Sequence, residues 1–436
     1  MKRGARWLSA GFGALALALA SCGADRGAEP LAGAAGAAGA AGRLGLAAMG
    51  GQPAAAGAGG ASGGAGTDGS GDAGLAGAAG SAATAGSAGS AATAGSGGQG
   101  DEGCDAASVG DLAIYLRSTF DWDPLGYPPY AFDGCTLVYV AAGSDPGALH
   151  VRNLATTEDE LLEPASSKPR RPTVAGPVIA WEADGALGSE VRVRYDGKVE
   201  TMSGAFVRAE EPRATNDALV FTAFMGAGAH DDSDVYLFDV VSSQLSLVAG
   251  GAGQQRFADV SATHVAITDF SEDPKGYFDE TGSISDIALI ERASGARTDR
   301  AAPGKQAFPL LSNDGVFAYL EWAAVHPEPK FGQFWLKVGY LDRPISDDFN
   351  VKTTGQVSTN PAYVRPSLRG LNLDFVDQDQ SGAPSLYRAA LATPGTLVAS
   401  KIAGALQLFG PVAGDRFTLL ANQRSAQNFA LVAVPR

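Results

Sequence analysis

The chain has 436 residues and a formal net charge of −15. An acidic surface of this kind repels phosphate backbones, which excludes nucleic-acid binding as a function class. Glycine is over-used, at 59 residues, and most of the excess lies ahead of residue 101, so composition divides the chain before any element is assigned.

Residues 1–21 read as a leader. Lys2, Arg3 and Arg6 form a positive start, and LSAGFGALALALA follows as an apolar run too short to span a bilayer. The run ends in Leu19-Ala20-Ser21-Cys22, which resembles the lipobox of bacterial lipoproteins. That resemblance implies cleavage before Cys22, acylation of its thiol by palmitate or a similar chain, and anchorage to a membrane without spanning it. An ordinary secretory leader that happens to contain Cys22 is the alternative. Gly23 rather than an aspartate follows the cysteine, which by the same resemblance favours the outer membrane. Losing the leader removes three positive charges and no acid, taking the charge from −15 to −15 − 3 = −18.

Residues 22–103 are Gly, Ala, Ser and Thr with few large apolar side chains. Such a stretch cannot bury enough surface to offset its chain entropy, so a disordered tether is expected. A Gly-rich coil of that length has a reach of roughly 45 to 55 Å. Cysteine usage agrees with export. With Cys22 acylated, Cys104 and Cys135 remain as a pair in an oxidising compartment. A bridge between them would contribute about 3 to 4 kcal/mol by loop entropy; two free thiols, with Cys135 buried in a strand, are the other reading.

From residue 104 to 436 the sequence becomes a series of short apolar runs with Gly, Pro and Asx punctuation and little helical periodicity, an all-β signature. DLAIYLR, Asp111 to Arg117, is a candidate strand. After an aromatic, proline-rich stretch, seven runs follow turn positions: CTLVYVAAG after Gly134, PVIAWEADG after Gly176, ALVFTAFMG after Asp217, HVAITDFSE after Thr263, VFAYLEWAA after Gly315, LNLDFVDQD after Gly370 and DRFTLLANQ after Gly414. Each has a downstream partner run, such as VRVRYDG or DVYLFDV. The spacing, about 40 to 55 residues, suits four-stranded propeller blades. Seven units predict a seven-bladed β-propeller. The last unit ends at Arg436 one strand short, and Asp111–Arg117 is placed to supply the missing strand and close the ring. If it does not, six blades with an irregular beginning are expected.

The units resemble the TolB-type (WD40-like) propeller repeats of bacteria. Trp181-Glu182 with SEVRVRYDG, DVYLFD from Asp234 to Asp239, and Thr268-Asp269 with DIALIE from Asp286 to Glu291 carry the resemblance. It covers about Tyr130 to Arg436 and implies a fold rather than a function. The tethered amino terminus and the lack of an evident separate α/β domain depart from TolB itself.

Candidate site residues are few. Glu182, Asp269 and Glu321 each lie six residues beyond a turn position. They are expected to repeat as one column around a rim, either locking their hairpins or forming an acidic ring able to hold a cation or a basic ligand. Asp377, Asp379 and Ser381 lie in a DxDxSG loop whose oxygen spacing suits Ca2+. Arg388, where an EF-hand would need an acid, excludes that motif, and a polar β-turn is the competing reading. No cofactor other than this calcium is implied. His150, His230, His264 and His326 are scattered; HExxH does not occur, no GxSxG falls at a strand-to-helix turn, and no cysteine pair has zinc spacing. His264 is expected to pack rather than act as a base. Trp181, Trp322 and Trp335 are assigned to the core, and Tyr127, Pro128, Pro129 and Tyr130 to an exposed surface where a ligand could stack.

Two functions follow. The first is a membrane-tethered, non-catalytic binding or scaffold lipoprotein of the cell envelope, whose partner is an envelope protein or glycan. The second is a propeller enzyme, a glycan lyase or hydrolase, working through rim carboxylates.

Overall fold

The computed structural model describes residues 104, 106–110, 112–115, 127–278, 284–322, 334–352, 365–378, 384–392, 397–404, 408–425 and 428–436. The leader, Cys22 and the tether lie outside the described residues, as do His326, Asp379, Ser381 and the Trp322 side chain. The described chain is a seven-bladed β-propeller. Seven antiparallel units appear in chain order, and the seventh takes its outer strand from the start of the chain.

The burial of each strand explains its sequence. Second strands such as Ala218–Phe224 are buried at every position, between neighbouring blades on both faces. They therefore read as largely apolar runs without strict alternation. Third strands such as Ser189–Tyr195 alternate buried and half-buried residues. Outer strands such as Lys198–Thr201 are largely exposed. The seven runs of the sequence are the second strands: Thr136–Val140, Val178–Asp184, Ala218–Phe224, His264–Asp269, Val316–Trp322, Asn372–Gln378 and Phe417–Ser425. One departure is a short parallel strand, Leu397–Val398, which adds a fifth member to the blade ending in Phe349–Lys352.

The ring closes as the sequence expects. Ala113–Ile114, inside the predicted Asp111–Arg117 strand, pairs with the final strand Asn428–Pro435 through Ala113 opposite Ala430 and Ile114 opposite Phe429. The same segment reaches the first blade, where the Tyr115 N–H donates to the Val140 carbonyl at 3.0 Å. Between the first and last blades Phe132 stacks on Phe417 at 4.9 Å, and the Tyr130 hydroxyl donates to the Gly410 carbonyl at 2.5 Å. A disulfide joins Cys104 to Cys135, Cα atoms 5.7 Å apart, and fastens the one-turn helix Ala106–Val109 to the first blade.

A bulge recurs in the innermost strands. Pairing slips between Arg170 and Thr173, Glu210 and Arg213, Arg256 and Asp259, Ala307 and Leu310, and Phe409 and Val412. At each slip one residue takes a left-handed backbone: Arg171, Glu211, Phe257, Phe308 and Gly410, with φ of 50°, 63°, 54°, 58° and 54°. Four of the five are non-glycine, at about 1–3 kcal/mol each. A bulge re-aims a side chain, and these lie where the inner strands converge on the propeller axis. The N–H groups so displaced find acceptors on the preceding blade. Glu182 accepts from Glu211 N at 3.3 Å, Glu211 from Phe257 N at 3.1 Å, and Thr268 from Phe308 N at 3.2 Å. The strain is thus held in place by contacts between blades.

Candidate functional site

The three rim acids do not share a column. Glu182 lies opposite Arg170, the residue ahead of a bulge, as Thr268 lies opposite Arg256 and Leu320 opposite Ala307. Asp269 and Glu321 stand one residue further on, opposite Gln255 and Gln306. Because side chains alternate along a strand, Glu182 faces the other side of its sheet. Counting from the turn position failed because the turns differ in length.

Each rim acid is engaged by a cation of its own blade. Glu182, 1% exposed, accepts from Arg170 Nε at 2.6 Å and Arg171 Nη1 at 2.9 Å. Asp269 accepts from Arg297 Nη2 at 2.5 Å and from Ser271 N at 2.9 Å. Burial pushes the Asp269 carboxyl up, but Arg297 and the other donors outweigh it and hold it below the ordinary carboxylate range. Glu321 pairs with Lys337 Nζ at 3.0 Å.

A second cluster gathers on the axis, and the sequence reading missed it. Arg365, Arg213 and Arg171 converge on one ring, that of Tyr127, with guanidinium carbons 3.6, 4.5 and 5.2 Å from its centroid. Glu211, fully buried, pairs with Arg256 at 2.5 Å and accepts from Thr222 Oγ1 at 2.8 Å. Burial pushes Glu211 up, yet Arg256 and Arg171 reverse this and its carboxyl sits below the usual range. Asp259 differs: burial dominates and raises it, while Oδ2 accepts from Leu311 N at 2.7 Å. Burial also lowers Arg365 to about 10. The signal that could have found this layer is a dipeptide ending in proline ahead of most blades: Arg171-Pro172, Glu211-Pro212, Phe308-Pro309, Arg365-Pro366 and Gly410-Pro411.

Other expectations are corrected. Tyr127 and Tyr130 are 2% and 0% exposed, so they form no stacking surface. Tyr127 fills the axis and Tyr130 the seam between the first and last blades. Trp181 is buried as expected, whereas Trp335 is 40% exposed, because it stands at the start of an alternating third strand, Phe334–Tyr340. His264 is half-buried, with Nδ1 2.9 Å from Thr263 Oγ1. His230 stacks on Tyr277 at 3.9 Å, and His150 Nδ1 lies 2.8 Å from Asp159 Oδ1. Asp377 is fully buried opposite Ser385. Among the described residues no group of three or more His, Cys, Asp or Glu is arranged to hold a metal.

Two shallow grooves lie away from the axis. One, of about 430 Å³, runs between the third and fourth blades along Leu237, Leu247, Val265 and Ile290. The other, of about 460 Å³, is bordered by Tyr139, His150, Asp159 and Leu161.

No protein-family model matches the chain, and neither does any curated protein. Among solved structures the chain is similar to the β-propeller domain of the Trilobed protease from Pyrococcus furiosus. That match has 14% identity and a TM-score of 0.52, over 74% of this chain and 95% of that one. An oligogalacturonate lyase in complex with manganese is matched at 10% identity and a TM-score of 0.50, over 74% and 90%. TolB from Acinetobacter baumannii is matched at 11% identity and a TM-score of 0.41 over 74% of this chain, which spans 66% of the TolB chain. At such identities the likeness is one of fold alone.

Proposed function

We propose that this chain is a non-catalytic binding or scaffold module of the cell envelope, held to a membrane through an acylated Cys22. The observation that carries the reading is the engagement of Glu182, Asp269 and Glu321 by Arg170, Arg171, Arg297 and Lys337. A carboxylate held in an ion pair of its own blade stabilises that blade and is poorly placed to move a proton to a substrate. The loops linking second to third strands meanwhile carry exposed apolar residues on successive blades: Leu187, Met225 and Ile284, with Trp335 at the start of the next third strand. Apolar groups spaced around a rim suit a partner surface better than a catalytic cleft.

The experiment is site-specific photocrosslinking in intact cells, with the crosslinker at Leu187 or Trp335 and, as control, at Val241 in an outer turn. Crosslinks to one defined envelope component from the first two positions alone support the proposal. Equal labelling from all three, or cleavage of acidic polysaccharides by the purified protein, removes it; the latter outcome would instead support the glycan-enzyme reading. Replacing Cys22 with alanine tests the anchor separately, by moving the protein out of the membrane fraction.

A further inference from the structure

We propose that the propeller axis holds an oxyanion, a carboxylate or a phosphate, against Arg213. Arg213 lies two residues beyond the bulge residue Glu211 in its inner strand, and Asp259 holds the same place in the next blade. Both therefore belong to the layer just beyond the bulges. Arg213 is half-buried. Among the described residues it makes no ion pair and no hydrogen bond, and its Nε is buried without a partner. Its one close interaction is with the face of Tyr127, at 4.5 Å.

A guanidinium stays charged at any ordinary pH, and a buried charge without a counterion is costly. A ring face compensates for part of that cost, but it leaves the planar fork of N–H donors unused. Of the neighbouring acids, Glu182 pairs with Arg170 and Arg171 and Glu211 with Arg256; Asp259 lies within electrostatic reach of Arg213 without pairing to it, accepts from the Leu311 backbone, and is held by burial above the ordinary carboxylate range. Arg365 and Arg171 approach the same ring, so positive charge converges on one spot of an otherwise acidic protein. A fork of N–H donors beside further guanidiniums is the geometry that takes an oxyanion in bidentate fashion.

The test is titration of the purified propeller with sodium acetate and, separately, sodium phosphate, at ionic strength held constant with sodium chloride. Binding is read by calorimetry and melting temperature. The wild-type protein is expected to bind at least one of the two anions and to melt higher in it than in chloride. Preference for acetate identifies a carboxylate ligand, and preference for phosphate a phosphorylated one. Arg213→Gln is expected to weaken that binding at least about tenfold, the loss of a charge-assisted contact, without lowering the melting temperature in chloride. The surface variant Arg343→Gln should bind as the wild type does. If Arg213→Gln does not fold, Arg213→Lys keeps the charge without the fork and is expected to show the same tenfold loss. Equal melting in all three salts with no heat of binding overturns the proposal, as does unchanged affinity in whichever Arg213 variant folds.

Discussion

Glu211 accepts the backbone N–H of Phe257 across the boundary between the third and fourth blades, at 3.1 Å. Both residues sit at bulges with left-handed backbones, so one strained residue satisfies the displaced donor of the next. The same carboxylate takes Thr222 Oγ1 and Arg256. Glu211→Ala is therefore expected to destabilise the propeller by about 3–5 kcal/mol, the cost of stranding a buried partner charge. Thr222→Val should cost about 1 kcal/mol. Urea unfolding of both variants checks the ranking, and the reverse order would show that Glu211 is not the element holding the bulge.

Closure of the ring depends on a strand of two residues. Ile114, 1% exposed beside Phe429, is its buried anchor. Ile114→Ala should cost about 2–5 kcal/mol, whereas Ile402→Ala, at a position 37% exposed, should fall within about 0.5 kcal/mol of the wild type. Equal effects in chemical denaturation would mean that the amino-terminal strand does not bear on stability.

The Cys104–Cys135 bridge spans 31 residues. The double variant Cys104→Ser with Cys135→Ser should lose about 3–4 kcal/mol by the loop-entropy estimate. Reductant should produce the same loss in the wild type and none in the variant, as read from the unfolding midpoint.

Asp348 gives the fold a pH dependence. Burial raises its carboxyl to about 6, against the lowering effects of Tyr319, whose hydroxyl donates to Oδ2 at 2.9 Å, and of Arg300 at 3.6 Å. The folded state thus holds this proton more tightly than the unfolded chain. Its contribution is fully present below about pH 4 and is lost as pH rises through about 6. Asp348→Asn cannot titrate there. Its stability relative to wild type should rise between pH 4 and pH 7 by about 1–3 kcal/mol. The slope is the readout, because packing changes made by the substitution shift both ends alike, whereas the charge of Asp348, with its pairing to Arg300, is present only at the upper end. Parallel pH profiles would refute the assignment.

The ring of blades was legible because it rests on local pattern. A strand packed on both faces is largely apolar, and hairpin turns favour Gly or Asx. Seven such runs therefore exposed seven second strands, and the unpaired final unit exposed the closing role of Ala113–Ile114. Phase was not legible. The turn position lies five residues beyond the bulge at Arg171 but six beyond that at Phe257 and seven beyond that at Phe308, so counting six residues onward from each turn put Glu182 on the opposite face from Asp269 and Glu321.

What the sequence determined by itself was the all-β class, the repeat of seven units and the place of Asp111–Arg117 as the closing strand, since these follow from periodicity and punctuation. The tertiary structure alone decided that Tyr127 is buried on the axis, that Arg171, Arg213 and Arg365 from three separate blades meet on its ring, and that Glu211 binds the blade beside it. Those relationships join residues as far apart in the chain as Tyr127 and Arg365. They arise only when bulges turn inner-strand side chains toward a common axis, a geometry that no local pattern encodes.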